Sequence, residues 1–333
     1  MSKNEKAAEW GTISRHYLLK KTIMDYVYKF CRAILLFGLC FLILQPILDK
    51  ISVSFMEQQD LYDGTVISIP RNFTLDNYRT VSDLTFYWSS LFQTLAIVLT
   101  SAVLQIAACT LAGYAFARFK FPLKNFWFMC VMLIIIVPPH TIMSSLYLNF
   151  RFFDIFGLIR RITGNPINLL NSVAGLFLLS ATGMGLKSGL YIFMLRQYFR
   201  GMPKELEEAA WVDGCGRFKT FIRIMLPDAT PILTSCFLFS FVWQWTDAFY
   251  ANLFLGNYRT LAKGLSGLAQ RFAQYWASLN VSTGGGVSAY APVGVTQMMI
   301  ATGMLMSLAP LILLYLVAQK AFVESLSQTG IKM

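Results

Sequence analysis

Long apolar runs alternate with polar segments along this chain, at about 30–48, 89–113, 125–148, 173–196, 228–254 and 293–319. A helix needs about 20 predominantly apolar residues to cross a bilayer, so each run predicts one membrane-spanning helix. The third is the most uniform, with no Asp, Glu, Lys or Arg between 126 and 148. The first is the shortest, uncharged only over 33–48. No small-x-small cleavage pattern follows it, so it reads as a span and not as a removed leader. The predicted fold is therefore all-α and integral to the membrane, with six transmembrane helices. A polar lead over 1–28 precedes a transmembrane domain over 29–333.

Charge sets the expected orientation. The chain has 333 residues with 28 Lys and Arg against 17 Asp and Glu, a formal net charge of +11. Only 14% of residues are charged and mean hydropathy is +0.54, against about 25% charged in soluble domains. With the N-terminus inside, most basic residues fall on the cytoplasmic side, as the positive-inside rule requires. They occupy the lead, the tight turn 118–124, the loop 199–227 and the tail 320–333. The first outer segment, 49–88, is acidic, with turn chemistry at Asp63-Gly64 and Pro70. The basic residues form no soluble face interleaved with aromatics, so nucleic-acid binding is excluded as a function class. Six cysteines without a C-x-x-C, and only His16 and His140, predict neither disulfides nor a metal centre.

The inner loop 199–227 carries the strongest signal. Glu208-Ala209-Ala210, Gly214, Ile224, Leu226 and Pro227 fit the pattern E-A-A-x3-G-x9-I-x-L-P. Pro203 suits a first helical position, and Glu205, Glu207 and Glu208 sit where a helix dipole favours negative charge. Ala209 and Ala210 keep one face thin, Asp213 and Gly214 end the helix, and a second helix runs over about 217–225 until Pro227. The expectation is a helical knob, acidic and small on its exposed face, held stiffly between two spans. An ordinary amphipathic connection without a partner is the plainer alternative.

That spacing resembles the coupling loop of ABC importer permeases, and other segments share the resemblance. They are Phe73-Thr74-Leu75-Asp76-Asn77-Tyr78, Tyr114-Ala115-Phe116-Ala117-Arg118-Phe119, Val137-Pro138-Pro139 and Leu195-Arg196-Gln197-Tyr198-Phe199-Arg200. The chain is similar to carbohydrate ABC importer permeases of type I, and in particular to the smaller membrane subunit of the maltose transporter, over roughly 70–330. The resemblance implies a bacterial plasma-membrane protein with cytoplasmic termini that acts as one half of a permease heterodimer. It also implies two ATPase subunits inside that bind ATP and Mg, and an extracytoplasmic sugar-binding protein. On that reading Glu205, Glu208, Ala209, Ala210, Asp213, Gly214, Leu226 and Pro227 dock the ATPase, and this chain binds no cofactor and is no enzyme. It contains no G-x-x-x-x-G-K-[S/T] phosphate loop; Gly183-Met184-Gly185-Leu186-Lys187-Ser188 has the wrong spacing.

Candidates for the solute path come from polar groups inside the spans. Lys187 lies near mid-depth among Gly175, Gly183, Gly185 and Gly189, and charge or irregular backbone at that depth must face protein or water. It either lines the path or is paired structurally. Trp243, Gln244 and Asp247 place aromatic rings beside amide and carboxylate, a combination that suits a carbohydrate. Asp247 as a helix cap, and the tryptophan as an interfacial anchor, are the competing readings. Pro138-Pro139 predicts a kink in the third span. An ion-coupled secondary transporter of a small polar solute is the alternative function, but it would need an ionic relay for which only Lys187 and Asp247 are available.

Overall fold

The computed structural model describes the backbone of residues 3–330 apart from 68, 156 and 284–290, and side chains from 23 to 319 apart from 68, 156 and 280–290. The side chains of the tail 320–333 lie outside the described residues. Helix dominates; among the described residues the extended pairing is limited to two isolated bridges, Met56 with Phe73 and Phe153 with Ile167. The chain forms two compact units, Met1–Thr74 and Leu75–Met333.

In the first unit, α1 (Lys3–Ser54) runs continuously, so the backbone does not change where the polar lead meets the first span. Beyond it, Asp60 fastens a loop by accepting from the Asn72 backbone N–H at 2.8 Å and from Nδ2 at 3.0 Å. The predicted turn at Asp63 is present: Thr65 donates to Oδ1 from both its hydroxyl and its amide. Those two bonds, more than the nearby Arg71, hold the Asp63 carboxyl below its usual range.

The second unit begins with α2 (Asp76–Thr85), α3 (Tyr87–Arg118), α4 (Lys124–Ile136), α5 (Met143–Arg151) and α6 (Leu158–Thr163). Next come α7 (Val173–Ala181), α8 (Ser188–Gly201), α9 (Glu205–Val212), α10 (Arg217–Thr220), a π-helical turn Phe221–Met225 and α11 (Leu226–Asp228). It closes with α12 (Thr230–Thr246), α13 (Phe249–Phe254), α14 (Leu261–Ser266), α15 (Leu268–Thr283) and α16 (Val293–Gly330).

At the centre stands α3, packed on α7, α8 and α12. Its buried positions recur at helical spacing (Ser90, Thr94, Ser101, Gln105, Thr110 and Gly113 among them), whereas Phe92, Leu99, Val103 and Leu111 are exposed. Small and polar residues share the inward face with Ile97, Val98, Ile106 and Tyr114, and large apolar residues also cover the outward face, where a soluble helix would be polar. That arrangement is stable where the surroundings are as apolar as leucine and helices meet through small residues and hydrogen bonds. Thr94 and Thr110 return their hydroxyls to the carbonyls of Ser90 and Ile106, both at 2.6 Å. At Gly113 the contact with α8 is so close that an added Cβ would lie 2.8 Å from that of Leu195.

Three of the expected spans are unbroken helical stretches: Ile23–Ser54, Tyr87–Arg118 and Val293–Gln319. The others are interrupted. The third bends by 102° between Lys124–Ile136 and Pro139–Arg151, because Pro138 and Pro139 have no N–H to donate and disfavour helix at the residue before them. The fourth divides into α7 and α8, of 9 and 14 residues, with Gly183 and Lys187 between them at φ of +68° and +62°. The fifth ends at Thr246, and a further bend of 75° separates it from Arg217–Asp228. Pro227 does not end that helix as expected, since α11 runs to Asp228 and the break falls at Ala229.

Candidate functional site

Two sets of polar side chains stand out in the second unit, one at the α9 end of α3 and one midway along it. At the first, α9 ends as the sequence predicts. Gly214 takes φ +77°, its N–H bonds the carbonyl of Trp211 at 3.0 Å, and the Cys215 N–H reaches that of Ala210 at 2.9 Å. This pair of bonds closes a helix only when the residue after the cap is left-handed, which glycine adopts without a Cβ clash. Glu205, Glu208, Ala209 and Asp213 are exposed. Ala210 departs from the expectation: it is buried, because the helix turns that face towards the bundle. Pro227 is exposed, and Leu226, half-buried, lines an apolar groove of about 640 Å³ with Val103, Leu111, Phe218 and Phe237.

The carboxylate that holds α9 in place is Glu207, which the motif did not single out. It is buried; Tyr114 donates its hydroxyl to Oε1 at 2.7 Å, and Arg118 Nε lies 3.5 Å from Oε2. Arg118 also donates through Nη2 to the Met202 carbonyl at 2.8 Å. The Tyr114 ring packs against Phe119, Phe199 and Phe221. A buried ion pair needs its spare donors and acceptors satisfied to offset desolvation; the tyrosine serves Oε1 and the Met202 carbonyl serves Nη2, while Arg118 Nε makes no hydrogen bond and meets Oε2 through charge alone. α9 is thereby fastened to the last two turns of α3. Trp211, Val212 and Phe218 lie exposed nearby; apolar residues inside an otherwise polar loop were the sequence signal for them.

Midway along α3 the organiser is Gln105, fully buried and likewise missed by the sequence reading. Its Nε2 donates to the Leu186 carbonyl and to Ser188 Oγ, each at 2.7 Å. Its Oε1 accepts from Ser240 Oγ at 2.6 Å and Gln244 Nε2 at 2.8 Å. One amide thus binds the break between α7 and α8 to α12. Of the predicted path residues, Lys187 and Trp243 come together, with the ammonium 5.0 Å from the ring centroid and both side chains exposed. Gln244 joins the Gln105 knot. Asp247 takes the capping role: it accepts from the backbone N–H groups of Phe249 and Tyr250 at 3.2 and 3.0 Å, at the start of α13. Gln244 and Asp247 line a cavity of about 30 Å³ with Thr94, Ser180 and Gly185. That volume suits a water or two, far below the roughly 300–1,000 Å³ of a small-molecule site.

A helical bundle whose central helix is apolar on its outer face and buries several polar groups, with a polar helix fastened across one end, defines a multi-pass membrane protein. The chain belongs to the family described as binding-protein-dependent transport system inner membrane component, whose profile matches residues 106–328. A probable ABC transporter permease of Pyrococcus horikoshii is 31% identical over 66% of this chain and 74% of its own length. The arabinooligosaccharides transport system permease AraQ of Halalkalibacterium halodurans is 25% identical over 88% and 93%. Among solved structures, a chain of a bacterial ABC transporter involved in the import of the acidic polysaccharide alginate aligns with a TM-score of 0.65 at 19% identity. It covers 90% of this chain and 97% of that one, and so shares the fold.

Proposed function

We propose that this chain is one permease subunit of an ATP-driven importer. It makes six membrane passes with both termini in the cytoplasm, counting each bent pair and the α7–α8 pair as one pass. A second permease completes the heterodimer, and two ATPase subunits that hold ATP and Mg dock at the inner face. An extracytoplasmic binding protein delivers the cargo, a carbohydrate and in particular an oligosaccharide. The cargo class is supported by the resemblance to carbohydrate permeases and by the arabinooligosaccharide named for AraQ.

The observation that carries the coupling mechanism is the Glu207–Arg118 pair. With α9 fastened to α3 by a buried ion pair, a push on the exposed Glu205, Glu208 and Asp213 moves α3 rather than a slack loop. α3 in turn holds the α7–α8 break through Gln105, so displacement at the ATPase end reaches the mid-depth residues Lys187, Trp243 and Gln244. The cavity beside Gln244 is too small for a sugar, and on this reading the path is completed by the second permease.

The test is reconstitution of the full complex in proteoliposomes, with ATP hydrolysis and sugar uptake measured together. Binding protein plus sugar is expected to stimulate hydrolysis. Glu208→Lys is expected to abolish uptake, because it places a cation where the docking face is acidic. Unchanged uptake by that variant removes the docking role of Glu208.

A further inference from the structure

Three cations converge near the junction of α4 with α8, at the end of the bundle that carries α9. Lys124 opens α4, while Arg196 and Arg200 lie in the last two turns of α8. Both arginines bear electrostatically on Lys124, and Arg200 on Arg196. Among the described residues the ion pairs involve only Arg71, Arg79 and Arg118, so no carboxylate there balances this group. Arg196 lies over Phe128, 3.9 Å from guanidinium carbon to ring centroid, and its Nε is buried without an acceptor. Lys124 spends part of its donor capacity on the Phe119 carbonyl at 2.9 Å and the Ala117 carbonyl at 3.5 Å.

Like charges crowded in a half-sheltered place repel, and an unpaired buried donor costs desolvation. One anion with several oxygens, at the nitrogens of the three cations that remain accessible, would relieve the repulsion. The surface that continues from the cluster says which kind. No residue of α4 is buried, and exposed Leu123, Trp127 and Ile134 fall within roughly 100° of helix rotation of Lys124, an apolar strip with an aromatic near its start. Basic residues at the inner ends of spans, next to an apolar strip with an interfacial aromatic, match an acidic headgroup followed by acyl chains. We propose that Lys124, Arg196 and Arg200 form the headgroup site of an anionic phospholipid, whose phosphate meets the Arg196 guanidinium and whose chains lie along α4. The site shares no residue with the docking face and does not depend on the cargo.

The experiment places the full transporter complex in nanodiscs of phosphatidylcholine, with and without phosphatidylglycerol. It reads the melting temperature and the lipids retained in native mass spectra. Phosphatidylglycerol is expected to raise the melting temperature and to be retained over phosphatidylcholine. The combined variant Lys124→Gln, Arg196→Gln, Arg200→Gln is expected to lose both effects, while the control Lys204→Gln, Lys219→Gln keeps them. If the combined variant does not assemble, Arg200→Gln alone, altered at an exposed position, should lower phosphatidylglycerol retention several-fold. Equal behaviour in the two lipids overturns the proposal, as does undiminished retention by the variants. Inorganic phosphate reproducing the shift in phosphatidylcholine discs would assign the site to a free anion instead. Loss of ATPase subunits from the variant, with its lipid preference intact, would assign the cations to a protein partner.

Discussion

The two polar clusters that fasten α3 to its neighbours are built from opposite materials. At the α9 end a carboxylate and a guanidinium pair inside an aromatic wall formed by Tyr114, Phe199 and Phe221. At mid-length a neutral amide, Gln105, exchanges hydrogen bonds with two serines, another amide and a backbone carbonyl. A buried ion pair has one good arrangement, and separating it exposes two charges to a poor solvent. Hydroxyls and amides both donate and accept, so the second cluster can change partners at small cost. The first is suited to passing on a displacement without yielding. The second is suited to holding a helix break that must rearrange.

Removing one partner of the ion pair breaks that contrast most severely. Glu207→Ala leaves Arg118 buried without its anion, which typically costs about 3–5 kcal/mol. A large fall in thermal stability of the purified complex is expected, with the ATP hydrolysed per sugar transported rising in the fraction that still assembles. Tyr114→Phe removes a single hydrogen bond to a charged group, worth about 1.5–3 kcal/mol, and should give the same coupling defect in milder form. A normal ratio of hydrolysis to uptake in both variants would show that α9 does not transmit through this contact.

Which glutamate does this work was beyond the sequence. Glu207 and Glu208 are neighbours in one polar loop, and only the roughly 100° of helix rotation between them turns one inward onto Arg118 and the other outward. The motif marked the exposed one. The loop itself, its Gly214 terminus and the apolar stretch 293–319 were legible, because turn chemistry and hydropathy act locally. The breaks were legible in part: prolines announced the one at Pro138, and clustered glycines announced the weak fourth span. The left-handed residue there is Lys187, however, which no composition rule selects. Gln105 was invisible for a different reason. A lone amide in an apolar run barely changes mean hydropathy, and its partners lie 81 to 139 positions away in the chain.

The neutral knot should respond less steeply than the ion pair. Gln105→Leu fills similar space but leaves the Leu186 carbonyl and Ser188 without their donor, and a buried unsatisfied group costs about 1–3 kcal/mol. Gln105→Glu keeps the acceptors but loses the amide donor, and it puts an ionisable group at a fully buried position, so it should be the worse of the two. Melting curves rank the variants. If Gln105→Leu proves as damaging as Glu207→Ala, the two clusters do not differ in stiffness as argued.

The smallest effect on stability, and the sharpest on function, is expected at Lys187. It holds φ +62° and ψ +15° as a non-glycine residue, a conformation that costs lysine about 1–2 kcal/mol. Strain of that kind persists where the surroundings or the function require it. Asparagine tolerates the left-handed region better, so Lys187→Asn relieves part of the strain while giving up the cation over Trp243, an exposed contact worth about 0.5–1 kcal/mol. The two terms nearly cancel, and the melting temperature should barely move. Uptake should nevertheless fall if the ammonium faces the solute, with ATPase subunits still bound, since the docking end is untouched. Native uptake by a fully stable Lys187→Asn complex would return this lysine to a purely structural role and leave Trp243 and Gln244 as the path residues to test.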